Sequence, residues 1–90
     1  MDVGMQMVFA SVGWDHDDTE IFQQEVKMAR MAEDLGFDVL WPADHHCCDY
    51  SWCPDNTQLM SYLAGVTERI HLGTAAVIMP WHDPLRVAEK

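Results

Sequence analysis

Positive charge is what this sequence has least of. Five lysines and arginines face fifteen aspartates and glutamates, a formal net charge of −10 over 90 residues. A surface of that sign repels nucleic acid and anionic membranes, so neither is an expected partner. Long apolar runs are also missing. The uncharged stretch from Leu72 to Trp81 holds ten residues, whereas a membrane-spanning helix needs about 20. The chain opens on Met1-Asp2-Val3-Gly4, with no basic segment leading into an apolar one, which argues against secretion. Cysteine is scarce and odd in number, at three, so a disulfide framework is not expected and a reduced, cytoplasmic setting fits. What remains is 49% hydrophobic, which excludes disorder by composition, and seven methionines point to adaptable packing.

Apolar runs separated by capping signals organise the chain. Residues 5–12, MQMVFASV, read as a buried strand. Asp17, Asp18 or Thr19 then caps a helix over Ile21–Leu35, with Phe22, Val26, Ala29 and Ala32 or Glu33 at helical spacing. Gly36 is placed to end it in the left-handed conformation. Phe37–Trp41 is a second short strand. Pro54 breaks the chain, Asp55 or Asn56 caps a second helix, and Leu59, Leu63 and Val66 form its apolar face. Ile70–Met79 is a third strand region, where Gly73 signals a bulge or a close backbone approach. Pro84 suits the first turn of a third helix that runs on through Leu85–Lys90.

Strand starts near residues 5, 37 and 70 give a steady period of 32 and 33 residues. Strands alternating with helices in this way predict a parallel sheet with right-handed crossovers. Apolar runs without strict alternation predict strands covered on both faces. The fold class is therefore α/β, with fewer than three full units, where a closed eight-stranded barrel takes about 250 residues. Residues 1–90 are expected to be the N-terminal part of one larger barrel domain.

Three stretches carry a family resemblance: AEDLGFDVLWPADHH (32–46), GVTERIHLGTAAVIMP (65–80) and HDPLRVAEK (82–90). In this order and spacing they resemble the N-terminal third of the luciferase-like, flavin-dependent monooxygenases, which are (β/α)8 TIM barrels. The resemblance implies a monooxygenase that uses reduced FMN and O2 on a small-molecule organic substrate. It also implies a flavin reductase as partner and a homo-oligomer built through helices two and three. A sister branch uses the deazaflavin F420 for hydride transfer instead. The family's Glu-His-His after strand two stands here as Asp44-His45-His46, with Cys47-Cys48 where an aromatic residue is common. The family's catalytic histidine maps onto His45. Its cis peptide beside the flavin ring maps onto Ala75-Ala76, which are thereby the cofactor-binding candidates.

The residues admit these roles on chemical grounds. His45 follows the C-terminal end of strand two, the catalytic face of a barrel, and an imidazole there can exchange a proton near neutral pH. Asp44 has two readings, orienting an imidazole or capping a turn. His46 is expected to be structural. Small residues at Ala75 and Ala76 suit a flat ring approaching the backbone or, equally, tight packing. No metal is expected from HHCC, because adjacent side chains in an extended run point to opposite faces. Cys47, Cys48 and Cys53 are expected to be fillers. Asp15-His16-Asp17-Asp18 is expected to cap a helix. Its alternative, a metal cluster with Asp44-His45-His46, would make the protein a metal-dependent barrel hydrolase. A non-catalytic fragment is a further alternative. Trp14, Trp41, Trp52 and Trp81 fall near strand ends, either walling an apolar substrate cavity or covering the barrel top.

Overall fold

The computed structural model describes residues 1–90. Three strands, β1 (Gly4–Met7), β2 (Val39–Pro42) and β3 (His71–Leu72), form one parallel sheet in the order β1-β2-β3. Helix α1 (Asp18–Asp34) connects β1 to β2, and α2 (Asn56–Ala64) connects β2 to β3. A short α3 (Pro84–Glu89) follows β3. The register pairs Met5 with Leu40 and Gln6 with Trp41, and then Leu40 with Leu72.

Each helix begins where a carboxylate satisfies its free N–H groups. Asp17 accepts from Thr19 (2.8 Å) and Glu20 (3.3 Å), Asp55 from Gln58 (3.0 Å), and Asp83 from Leu85 (2.9 Å) and Arg86 (3.1 Å). α1 ends at Gly36, whose φ is +88°. There the Phe37 N–H reaches the Ala32 carbonyl and the Gly36 N–H reaches Glu33, the paired bonds that close a helix on a left-handed residue.

The two faces of the sheet differ. Met5, Met7, Leu40 and Leu72 point toward the helices and join Phe9, Ala29, Ala32, Leu59, Leu63 and Ile70 in one core. Met7, Phe9, Leu40 and Leu63 have no exposed surface. Burial of each such side chain contributes about 1.5–3 kcal/mol. On the other face, Gly4, Gln6, Trp41 and His71 are exposed. Trp41 spreads its indole across both neighbouring strands. A Cβ at Gly4 would stand 2.4 Å from its Nε1, and one at Gly73 would stand 2.2 Å from its Cζ3. The close approach expected at Gly73 is therefore that of a side chain from the next strand. Within these 90 residues the helices cover one face of the sheet, and burial alternates along β1 and β2.

Two further expectations shift. The buried line of α1 is Ile21, Glu25, Ala29 and Ala32, while Phe22 remains 38% exposed. A glutamate thus occupies a core-facing position. Burial pushes the Glu25 carboxyl up to about 7, partly offset by a hydrogen bond with the Val8 backbone. The third strand is also shorter than its apolar run. Only His71 and Leu72 pair regularly, although Gly73 and Ala75 continue to donate to the Leu40 (3.0 Å) and Pro42 (3.3 Å) carbonyls.

At the N-terminal ends of the strands, Glu33 ties α1 to the approach to β3. Its carboxylate accepts from the backbone N–H of Glu68 (2.9 Å), Arg69 (2.5 Å) and Ile70 (2.8 Å), and the Arg69 guanidinium donates to the Glu33 carbonyl. The bonds from the Arg69 and Ile70 N–H groups hold the carboxyl below its usual range.

Candidate active site

The C-terminal ends of the strands carry the chemistry. Thirteen residues, 43–55, connect β2 to α2 and fold back over β1. The Trp52 N–H donates to Phe9 (3.0 Å), Ser11 donates to Asp49 (2.8 Å), and the His45 N–H donates to Cys53 (3.3 Å). Phe9 supports this loop from below, with ring centroids 5.7 Å from Phe22 and 5.9 Å from Trp52. Cys47 and Ser51 take positive φ, +53° and +52°, where the loop reverses.

Asp44, His45 and His46 separate according to the alternation of an extended chain. Asp44 is buried. His45 is exposed, with its ring edge-on to Tyr50 at 5.8 Å. The imidazole brought to Asp44 is that of His46: Nε2 lies 2.8 Å from Oδ1. His82, which follows the 3-10 turn Met79–Trp81, brings its own Nε2 to 3.5 Å from Oδ2. The Ile78 N–H donates to Oδ2 at 3.0 Å. His46 stacks on Trp81, centroids 4.8 Å apart and planes 25° apart. Asp44 therefore faces the imidazoles of His46 and His82 and accepts from the Ile78 N–H, and it does not face that of His45. Sequence reasoning left His82 without a role. The only signal for it was its place in the HDP segment that opens α3.

Ala75 and Ala76 are exposed on the same end of the sheet, and the peptide bond between them is cis. Their backbone is fastened from behind. Asn56, almost fully buried, donates through Nδ2 to the carbonyls of Pro42 (3.2 Å) and Ala76 (3.1 Å). Asp55 takes the capping role, which frees the Asn56 amide to bridge the ends of β2 and the β3 segment. Asn56 is the second residue missed, since beside Asp55 it reads as one more capping side chain.

The remaining candidates resolve simply. Asp17 of the acidic stretch caps α1, and the side chains that converge as possible metal ligands are Asp44, His46 and His82. The cluster joining residues 15–18 to residues 44–46 is therefore not formed. All three cysteines are free. Cys53 is buried, which pushes its thiol up to about 11 and makes it inert as a nucleophile. Cys48 Sγ donates to the Tyr50 carbonyl at 2.9 Å. Trp14, Trp41 and Trp81 are exposed, and Trp52 packs against the core. A surface depression of about 490 Å³ lies at the opposite end of the sheet between Arg30, Glu33, Asp34, Val66, Glu68 and Arg69, away from all of these groups. No helix is long and apolar enough to cross a membrane.

Comparison with known proteins agrees with this architecture. The alkanal monooxygenase alpha chain of Photorhabdus luminescens is 34% identical over 71 residues, covering 79% of this chain and 20% of that protein. A luciferase-like monooxygenase of Escherichia coli K12 is 37% identical over 71 residues, covering 79% of this chain and 21% of that protein. The chain thus spans about a fifth of the length of these relatives. Among solved structures, it superimposes with a TM-score of 0.84 on the oxygenating constituent of 3,6-diketocamphane monooxygenase from Pseudomonas putida. That protein is a type II Baeyer-Villiger monooxygenase in complex with FMN. The match covers 98% of this chain and 24% of that one at 20% identity. The fold is accordingly that of the first β/α units of a (β/α)8 barrel. The model of the luciferase-like monooxygenase family matches residues 1–90, and the chain belongs to that family.

Proposed function

We propose that this chain forms the first part of a flavin-dependent monooxygenase acting on a small organic substrate, with the flavin face at Ala75–Ala76 and the proton-exchanging group at His45. One observation carries the reading. The Ala75–Ala76 segment is exposed on its outer side, bears only methyl groups, and is held from behind by Asn56 and by its bond to Pro42. A flat ring can approach such a backbone closely, and the support behind it resists displacement. The residues present therefore fit a flavin, with Ala75 and Ala76 as its contacts in this chain. When bound, reduced FMN supplies two electrons to O2, so that one oxygen atom enters the substrate and the other leaves as water.

The protein's own residues supply position and protons. His45 is fixed through its backbone to Cys53 while its ring remains free at the surface, which suits it to pass a proton to or from a reacting oxygen. Asp44 lies against His46 and His82 and accepts from the Ile78 N–H, so the segment after Ala76 keeps its course. The exposed indoles of Trp14, Trp41 and Trp81 offer apolar walls for an organic substrate. A separate reductase delivering reduced flavin, a homo-oligomer and a cytoplasmic location complete the reading.

The test is anaerobic titration of the intact protein with reduced FMN and, in parallel, with reduced F420, followed by admission of O2. Saturable binding of reduced FMN and rapid oxygen consumption are expected. Binding of F420 alone would reassign the protein to hydride transfer, and binding of neither would overturn the flavin reading.

A further inference from the structure

We infer that Asp44, His46 and His82 form a binding site for one divalent transition-metal ion, Zn²⁺ or an ion of similar preference. The donors are two imidazole nitrogens and one carboxylate, the set that borderline ions take in preference to the all-oxygen sites of Mg²⁺ or Ca²⁺. Their ligand atoms all lie within 4.8 Å of one another. Nε2 of His46 and of His82 stand 2.8 Å and 3.5 Å from the two Asp44 oxygens. Ligands bound at about 2.0–2.2 Å and set 90–110° apart are themselves about 2.8–3.5 Å from each other. Each histidine therefore already stands at ligand separation from an Asp44 oxygen, and a modest inward shift of the imidazoles brings all three groups onto one ion.

The second observation is an unmet need at the same place. The Asp44 side chain is 0% exposed, yet its Oδ1 has no aligned hydrogen-bond donor, and Nε2 of His46, 2.8 Å away, has no aligned acceptor. The two atoms are close but off the line of an N–H bond, as ligands of a common ion are. A buried carboxylate oxygen left in this state is unfavourable, and a cation removes that cost. The surroundings are those of a prepared site. The Ile78 N–H orients the carboxylate from outside the trio, and the Trp81 indole holds the His46 ring. Both imidazoles remain partly open, 20% and 16% exposed, so an ion has an entry path and room for water or a further ligand. The net charge of −10 favours cation uptake.

The ion would tie the loop after β2 to the turn after β3, and the inference does not depend on the flavin reading. It is tested on the intact protein, stripped with a chelator and titrated with Zn²⁺ at neutral pH by calorimetry, then with Co²⁺ by absorption. One ion per chain is expected, with a cobalt spectrum free of thiolate charge-transfer. His82→Gln and His46→Gln, which keep side-chain volume, should each weaken binding about 100-fold or more. A Cys47→Ser/Cys48→Ser variant should bind as the parent does. Absence of saturable binding would overturn the inference. So would binding that survives both histidine changes but is lost with the cysteines; the trio would then be an ion pair alone. Circular dichroism of each variant separates lost ligation from lost fold.

Discussion

At the N-terminal ends of the strands, the Glu33 carboxylate accepts three backbone N–H groups and its helix end receives the Arg69 guanidinium. At the C-terminal ends, the Asp44 carboxylate is more deeply buried but receives one backbone N–H, faces two imidazoles, and leaves one oxygen without an aligned donor. The first arrangement is closed: both oxygens of the carboxylate accept, and the result is a joint between α1 and the approach to β3. The second is open, and it lies beside exposed indoles, residues of positive φ and a bare Ala75–Ala76 backbone. One end of the sheet is built for holding, the other for interacting, which is the division of labour expected of a β/α barrel.

The difference can be broken or sharpened by substitution. The largest effect is expected at the open end, where His45→Ala should lower turnover of the intact enzyme about 10²–10⁴-fold with its unfolding midpoint unchanged. Steady-state kinetics beside a denaturant melt measures both, and retained turnover would remove His45 from the chemistry. Next comes the support beneath that end. Phe9→Ala should cost about 3–5 kcal/mol of stability, since it empties the space between Phe22 and Trp52. Gly73→Ala should cost about 1–3 kcal/mol by driving a methyl group into Trp41. A chemical denaturation series ranks these two.

The smallest effects concern two glutamates of α1 that respond to pH in opposite directions. Glu33 is held below its ordinary value, so its contribution is complete above about pH 4.5 and is lost as pH falls. Glu33→Gln should therefore lower stability at neutral pH and leave turnover intact. Glu25 is raised to about 7, so the folded state binds its proton more tightly than the unfolded chain. Stability should fall as pH rises from about 4.5 through about 7. Glu25→Gln should remove that slope and add about 1–2 kcal/mol at pH 8, below the full value of the shift because the carboxylate borders an open depression. Thermal melts from pH 2 to pH 8 would show Glu33→Gln departing from the parent's slope below about pH 4.5 and Glu25→Gln departing from it, in the opposite direction, above that pH. Parallel curves would mean that Glu25 is solvated after all.

Much of the fold could be read directly from residues. The spacing of apolar runs places strand starts near 5, 37 and 70, within two residues of the observed 4, 39 and 71, and Asp17, Asp55, Gly36 and Pro84 mark helix ends because capping is local chemistry. The errors are all long-range. The length of β3 depends on which carbonyls of β2 lie opposite. The core line of α1 runs through Glu25, and spacing alone cannot show that a helix has turned by one position. Within the candidate site, adjacency was misleading. Three neighbours, 44–46, part company, while Asp44 meets His82 from 38 positions away along the chain. Asn56 looked like a cap because the residue that does cap stands next to it.

The indole of Trp41 lies over two glycines, one in β1 and one just past the end of β3. Positions 4, 41 and 73 thus share one fixed allotment of space across the open face of the sheet. None of the three can change in size alone. A larger residue at 4 or 73 calls for a smaller one at 41, and shrinking the indole would leave a trough that only growth on a neighbouring strand could refill. In variation among related chains, these three sites should move as a set, the sum of their volumes held while the individual residues trade places.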